Sequence, residues 1–331
     1  MKTNFVLFGL IVLSLYNFIG CNRSDSTKNK PSTSRPDLRN EEYIQVSVLG
    51  SLEYFYDHKM GLEMAGKYLG VKTRYLSPPD YDMNAMITAL EQAIVMRPAG
   101  ILVVGFEESL NPLVNKAVDA GIPVVTLDSD LPNSKRLAFV GTGNLRAGFT
   151  GGQRLGELIG GKGKVAIMTL PGQPNLEERV QGYRNALRQW KDVEVVRIVD
   201  TRSDPVISAQ AASAVLQKYP DLAGIGCVEA AGGIGAATAV REAGKINKIK
   251  IVAMDRTNDV LQAIKDGIIH ATVAQQTALM PFYGVQILYN YHHASLPISS
   301  DNEKAGIPGV PPTIDTGVML VDKNNCEYFF R

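Results

Sequence analysis

One pattern occurs twice in this chain and limits what it can fold into. Ala99-Gly-Ile-Leu-Val-Val-Gly-Phe106 reads as a strand, a helical stretch follows at about residues 111–120, and Ala120-Gly121 hands over to a second strand, 122–127, that stops at Asp128. Ala223-Gly-Ile-Gly-Cys-Val-Glu229 opens the same way, with a helix at about 233–243, then Ala243-Gly244 and a strand that stops at Asp255. Apolar, β-branched runs bounded by glycine and polar clusters mark parallel strands buried on both faces. Strands alternating with helices imply right-handed crossovers and a parallel sheet. A duplicated unit of this kind therefore implies two similar α/β lobes. Ligands of open parallel sheets sit beyond the carboxyl ends of the strands. A carboxylate there, as an acceptor-only group, can take two hydrogen bonds from ligand hydroxyls. The bland reading of Asp128 is a turn before Pro132.

The rest of the chain fits the same scheme. Strands are expected at 44–49, 71–76 and 101–104, with helices at about 57–69 and 82–96, the first stopped by Gly70 and the second capped by Asp82. A short strand at 137–140 leads to Asn144, read as the N-cap of a helix to about 159. A second lobe then starts over: strand 164–169, a loop and helix through Trp190, strand 193–199, a loop holding Ser203, and a helix at 207–219. The stretch 268–275, a helix at 279–292, a Pro- and Gly-rich surface loop at 296–312 and a last strand at 316–321 complete the chain. At 331 residues there is room for two domains of about 130 residues each.

The first 21 residues read as a secretion signal: Lys2 gives the positive start, 5–19 the apolar run, and Phe18-Ile-Gly-Cys21 the end. The apolar run is short and interrupted by Ser14 and Asn17, which disfavours a permanent membrane span. The tetrapeptide resembles the lipobox of bacterial lipoproteins, which implies that Cys21 is lipidated and becomes the mature N-terminus. Residues 22–43 are polar and Pro-containing, a composition expected of a flexible tether.

Several functions are disfavoured. Lys and Arg total 34 against 33 Asp and Glu, so nothing points to nucleic acid. Three cysteines, Cys21, Cys227 and Cys326, are too few for a disulfide framework. His58, His270, His292 and His293 have no metal-binding spacing, there is no Gly-x-Ser-x-Gly elbow, and Cys227 has no basic neighbour in sequence. Glycine clusters at 141–143, 160–163 and 232–235 lack a phosphate-binding fingerprint and are better explained by turns and close helix packing. No catalytic residue, cofactor or metal is expected.

Four motifs in order, Gly121-Ile-Pro-Val-Val-Thr-Leu-Asp128, Pro171-Gly-Gln-Pro-Asn-Leu-Glu-Glu-Arg179, Val252-Ala-Met-Asp255 and Ala271-Thr-Val-Ala-Gln275, resemble periplasmic sugar-binding proteins of the ribose- and galactose-binding type. The resemblance runs from Ile44 to about Val321. It implies the type I fold: two Rossmann-like lobes with parallel sheets, 44–143 plus 276–312 and 144–275 plus 313–331, joined by a three-segment hinge. It implies that Tyr54 and Phe55 stack on a monosaccharide while Asp128, Arg179, Asp255 and Gln275 bond its hydroxyls, with Gln173 and Asn175 close by. Ser129, Glu229 and Ser203 stand where ribose-binding relatives have an Arg, an Asn and an aromatic. Those differences imply another hydroxyl pattern. Glu229 reads equally as a cap of the following helix. The implied protein is a monomer, anchored to a membrane by Cys21, that passes its sugar to the membrane subunits of an ABC importer. A sensor presenting its closed form to a histidine kinase or chemoreceptor is the alternative. A repressor with the same lobes is disfavoured, because an export signal and tether occupy the place of a helix-turn-helix.

Overall fold

A computed structural model of the chain describes residues 40–330. The first lobe contains strands β1 (Glu42–Val46), β2 (Lys72–Leu76), β3 (Gly100–Val104), β4 (Val124–Leu127) and β5 (Ala138–Gly141), with helices α1 (Tyr56–Leu69), α2 (Met83–Val95) and α3 (Asn111–Asp119) between them. The second contains α4 (Asn144–Leu158), β6 (Lys162–Thr169), α5 (Pro174–Leu187), β7 (Asp192–Asp200), α6 (Pro205–Lys218), β8 (Leu222–Cys227), α7 (Ala230–Glu242), β9 (Lys250–Met254), α8 (Asn258–Lys265) and β10 (Ala271–Gln275). Helix α9 (Leu279–His293) then returns to pack on β3, β4 and β5. Two short strands, β11 (Thr313–Asp315) and β12 (Val318–Asp322), end the fold.

Each lobe is a six-stranded sheet, in the orders β11-β5-β4-β3-β1-β2 and β12-β10-β9-β8-β6-β7. Every pairing is parallel except β10 with β12. The strand β3 shows why its run is apolar throughout. Ile101 and Val103 enter the core on one face of the sheet and Leu102 and Val104 the core on the other, as the two-residue period of a strand requires. Local chemistry sets the helix ends: Gly70 closes α1 at φ 74°, and the side chains of Asp82 and Asp204 cap α2 and α6.

Two boundaries differ from expectation. Pairing begins at Glu42, inside the polar stretch read as tether, because Glu42 and Tyr43 lie in register with Lys72 and Thr73. Ladder hydrogen bonds use the backbone and do not need apolar side chains. Thr313–Asp315, expected in the second lobe, pairs with β5 in the first sheet, so the last crossing falls between β11 and β12.

The chain passes between the lobes at β5 to α4, β10 to α9 and β11 to β12, and these crossings are tied together. Asp315 Oδ1 accepts from the backbone N–H of Gly143 and of Gly317, both at 2.8 Å. Gln276 Nε2 donates to the Thr316 carbonyl at 2.7 Å.

Candidate functional site

Asp128 and Asp255 occupy matching places in the two lobes. Each follows the last residue of its strand, has positive φ (64° and 67°), and donates its N–H to the next strand, to Val140 O and Val273 O. The left-handed conformation turns the chain out of the sheet at that point, and Asp is among the few residues besides glycine that adopt it readily.

Around these carboxylates the structure gathers Tyr54, Arg179 and Gln275. Tyr54 Oη donates to Asp128 Oδ1 at 2.8 Å. Gln275, the last residue of β10, donates to Asp255 Oδ1 at 2.9 Å and accepts from Arg179 Nη2 at 3.0 Å. Arg179, on α5, is only 4% exposed; its Nε donates to Asn144 Oδ1 at 2.8 Å and its Nη1 to the Val228 carbonyl at 3.0 Å. Its neighbour Glu178 is exposed, so the two side chains face different ways on α5.

Burial governs the electrostatics. Loss of water pushes Asp128 up to about 6, although the Tyr54 hydroxyl and the Arg179 guanidinium both pull it down. Asp255 is raised from the usual carboxylate range by the same desolvation, opposed by Arg179 and Gln275. Desolvation, with the carboxylates beside it, keeps the Tyr54 phenol protonated and so a donor.

The other expected residues divide. Ser129 and Asn175 line a cavity of about 370 Å³ together with Phe106, Phe139 and Asn144. Phe55 is 2% exposed in the first-lobe core, edge-on to Tyr54 at 5.1 Å and to Phe106 at 6.2 Å. Gln173 is exposed at the N-cap position of α5. Glu229 caps α7, its two oxygens accepting from Ala231 and Gly232 N–H at 2.8 Å, and Ser203 Oγ approaches it at 3.4 Å. Cys21 lies outside the described residues.

Sequence reasoning missed Phe106, Phe139 and Asn144. Phe106 was findable, since it follows β3 at the same sheet end as Asp128. Asn144 was misread. Gly143 is the N-cap of α4 and makes no side-chain cap, whereas Asn144, one residue into the helix, spends its oxygen on Arg179. Also unforeseen is an ion pair between the lobes: Arg256, next to Asp255, donates to Asp57 on α1 at 2.5 Å. A cavity lined by Tyr54, Asp57, Asp255, Arg256 and Gln275 measures about 40 Å³, room for little more than water.

Two lobes with polar side chains gathered at the carboxyl ends of both sheets have the architecture of a two-lobe binding protein. Residues 46–293 match the model of the periplasmic binding protein domain, and the chain belongs to that family, in its type I form. The chain is 27% identical over 290 residues to the D-ribose/D-allose-binding protein of Pseudomonas aeruginosa, covering 84% of this chain and 86% of that one. Among solved structures it resembles AraP, an arabinose binding protein from Geobacillus stearothermophilus, with TM-score 0.82, 36% identity and coverage of 88% and 100%. A sugar-binding protein of a sugar ABC transporter from Bacillus halodurans gives TM-score 0.83, again at 36% identity and with coverage of 88% and 100%. Proteins of this family bind substrates for transport and are not enzymes. Among the described residues no helix is long and apolar enough to cross a membrane.

Proposed function

We propose that this chain is an extracytoplasmic receptor that captures a neutral monosaccharide between its lobes and delivers it to the membrane subunits of an ABC importer. The observation that carries the reading is the continuous chain Arg179–Gln275–Asp255 in one lobe together with the Asp128–Tyr54 pair of the other. One oxygen of each aspartate is committed to a protein donor; the second accepts from a sugar hydroxyl. Arg179 and Gln275 keep N–H groups for hydroxyl oxygens, and Tyr54 offers an aromatic face to the C–H side of the ring. Relatives named for ribose, allose and arabinose support a pentose or hexose.

The mechanism is a hinge. The open form exposes both sets of groups, the sugar bridges them, and closure is favoured by as much as the sugar prefers the closed state. Acylation of Cys21 would hold the receptor at the membrane surface. Mass spectrometry of the exported chain tests it.

Isothermal titration of the purified chain against L-arabinose, D-ribose, D-allose, D-galactose, D-xylose and D-glucuronate tests the reading, with small-angle scattering for compaction. One neutral sugar binding tightly and shrinking the particle is the expected result. No binding and no compaction with any neutral sugar would sink it.

A further inference from the structure

We infer that Asn144 is a positioning residue for sugar recognition, orienting the Arg179 guanidinium from a segment that crosses between the lobes. The inference rests on the sugar-receptor reading and adds a residue to it.

A guanidinium carries five N–H donors in a fixed fork. Asn144 Oδ1, the Val228 carbonyl and Gln275 Oε1 take one each, from Nε, Nη1 and Nη2. One N–H is left on each terminal nitrogen, and those two are the donors available to a ligand. Their direction is defined only while the other three are held. Val228 lies just past β8 and Gln275 ends β10, both fixed by the sheet of the second lobe. Asn144 is the third support; it opens α4, where the β5 crossing enters the second lobe, as Gln275 stands where the β10 crossing leaves it.

Helix packing explains how a residue at a helix start reaches so far in. Asn144, Gly148, Gly152 and Gly156 recur every four residues and so share one face of α4. That face is pressed against α5. A Cβ added at Gly148 would lie 1.9 Å from the Arg179 carbonyl oxygen, and one at Gly182 would lie 2.2 Å from the Leu145 carbonyl oxygen. Backbone meets backbone one turn beyond Asn144, which aims its short side chain at Arg179 and leaves it 8% exposed. The preceding residue is clamped as well: Gly143 N–H donates to Asp315, which also holds Gly317 on the third crossing. Movement of the β5-to-α4 crossing is therefore passed to the fork through the Asn144 side chain.

The test compares Asn144→Leu, which removes the acceptor, with Asn144→Asp, which keeps it at the same place. Titration with the sugar that wild type binds should show a loss of about 10- to 100-fold for Asn144→Leu, the weight of one hydrogen bond to a charged group. Asn144→Asp should stay within a few-fold of wild type. Loss in both variants, or in neither, would overturn the inference. A second readout needs no sugar: the Arg179 Nε–H signal in nitrogen-edited NMR of the unliganded protein should be protected from exchange in wild type and in Asn144→Asp, and lost in Asn144→Leu. An unchanged signal in Asn144→Leu also overturns it. If wild type binds no sugar, the receptor reading fails, and the NMR result decides the positioning role by itself.

Discussion

Replacing Asp128 by Asn separates the stability of this fold from its function. The substitution preserves the shape of the side chain, leaves an oxygen to accept from Tyr54, and suits the left-handed backbone at φ 64°. It removes the ability to ionise and replaces the second oxygen, an acceptor, by an amide NH2 donor. Burial raises Asp128 from its ordinary 3.8 to about 6, so the folded protein holds this proton more tightly than the unfolded chain. The sign follows. Stability from this group is complete below about pH 4 and is lost as pH rises through 6, because the folded state must then carry a buried carboxylate that the unfolded chain solvates. A rise of about two pH units at 1.36 kcal/mol each amounts to about 3 kcal/mol at neutral pH. Unliganded Asp128→Asn should therefore be more stable than wild type by up to about 3 kcal/mol at pH 7.5, a melting rise of about 6 °C. The advantage should shrink towards zero near pH 4. Sugar affinity should fall by about 100-fold or more, since a strong acceptor for a ligand hydroxyl is gone. Thermal and urea unfolding of both proteins between pH 4 and 7.5, with titration of sugar at pH 7.5, measure all of this. A stability difference that stays constant with pH would refute the reasoning, because it would mean that Asp128 is not desolvated in the folded state.

Further outcomes follow from the same geometry. Arg179→Met should lower stability by about 3 kcal/mol as well as abolish binding, because Asn144, Val228 and Gln275 would each lose a charged donor inside the protein; urea unfolding measures it. Gly148→Ala should cost about 2–3 kcal/mol in the same assay, since its methyl group would collide with the Arg179 carbonyl and force α4 and α5 apart. Glu229→Ala should lose about 1 kcal/mol of stability for want of the α7 cap; retention of sugar affinity within about threefold would assign Glu229 to capping alone.

Much of the fold was legible because its signals are local. The alternation of apolar strands with helices, the Ala-Gly handovers and the polar residue ending each apolar run lie within short windows of sequence, and the duplication repeats them. Strand β1 was placed two residues late because Glu42 and Tyr43 join the ladder through backbone groups, which hydropathy does not register. Residues 313–315 were counted with the second lobe and not expected as a strand, because three residues carry no pattern of their own; only the presence of β5 as a neighbour fixes them.

Local patterning is enough to specify the pair of lobes, their parallel sheets, and the carboxylates set where each central strand stops. Those follow from hydrophobic periodicity and from the backbone freedom of Asp and Gly, which act over a few residues. Assembly of the site depends on long-range packing: Arg179 turns inward, away from Glu178, Phe55 packs into the core beside Tyr54, and Asn144 serves Arg179 and does not cap its own helix. The partners of Arg179 are 35, 49 and 96 residues away in the chain. Bonds over such separations are chosen by how two helices and a sheet pack, and that packing turns on the absence of a methyl group at Gly148 and Gly182.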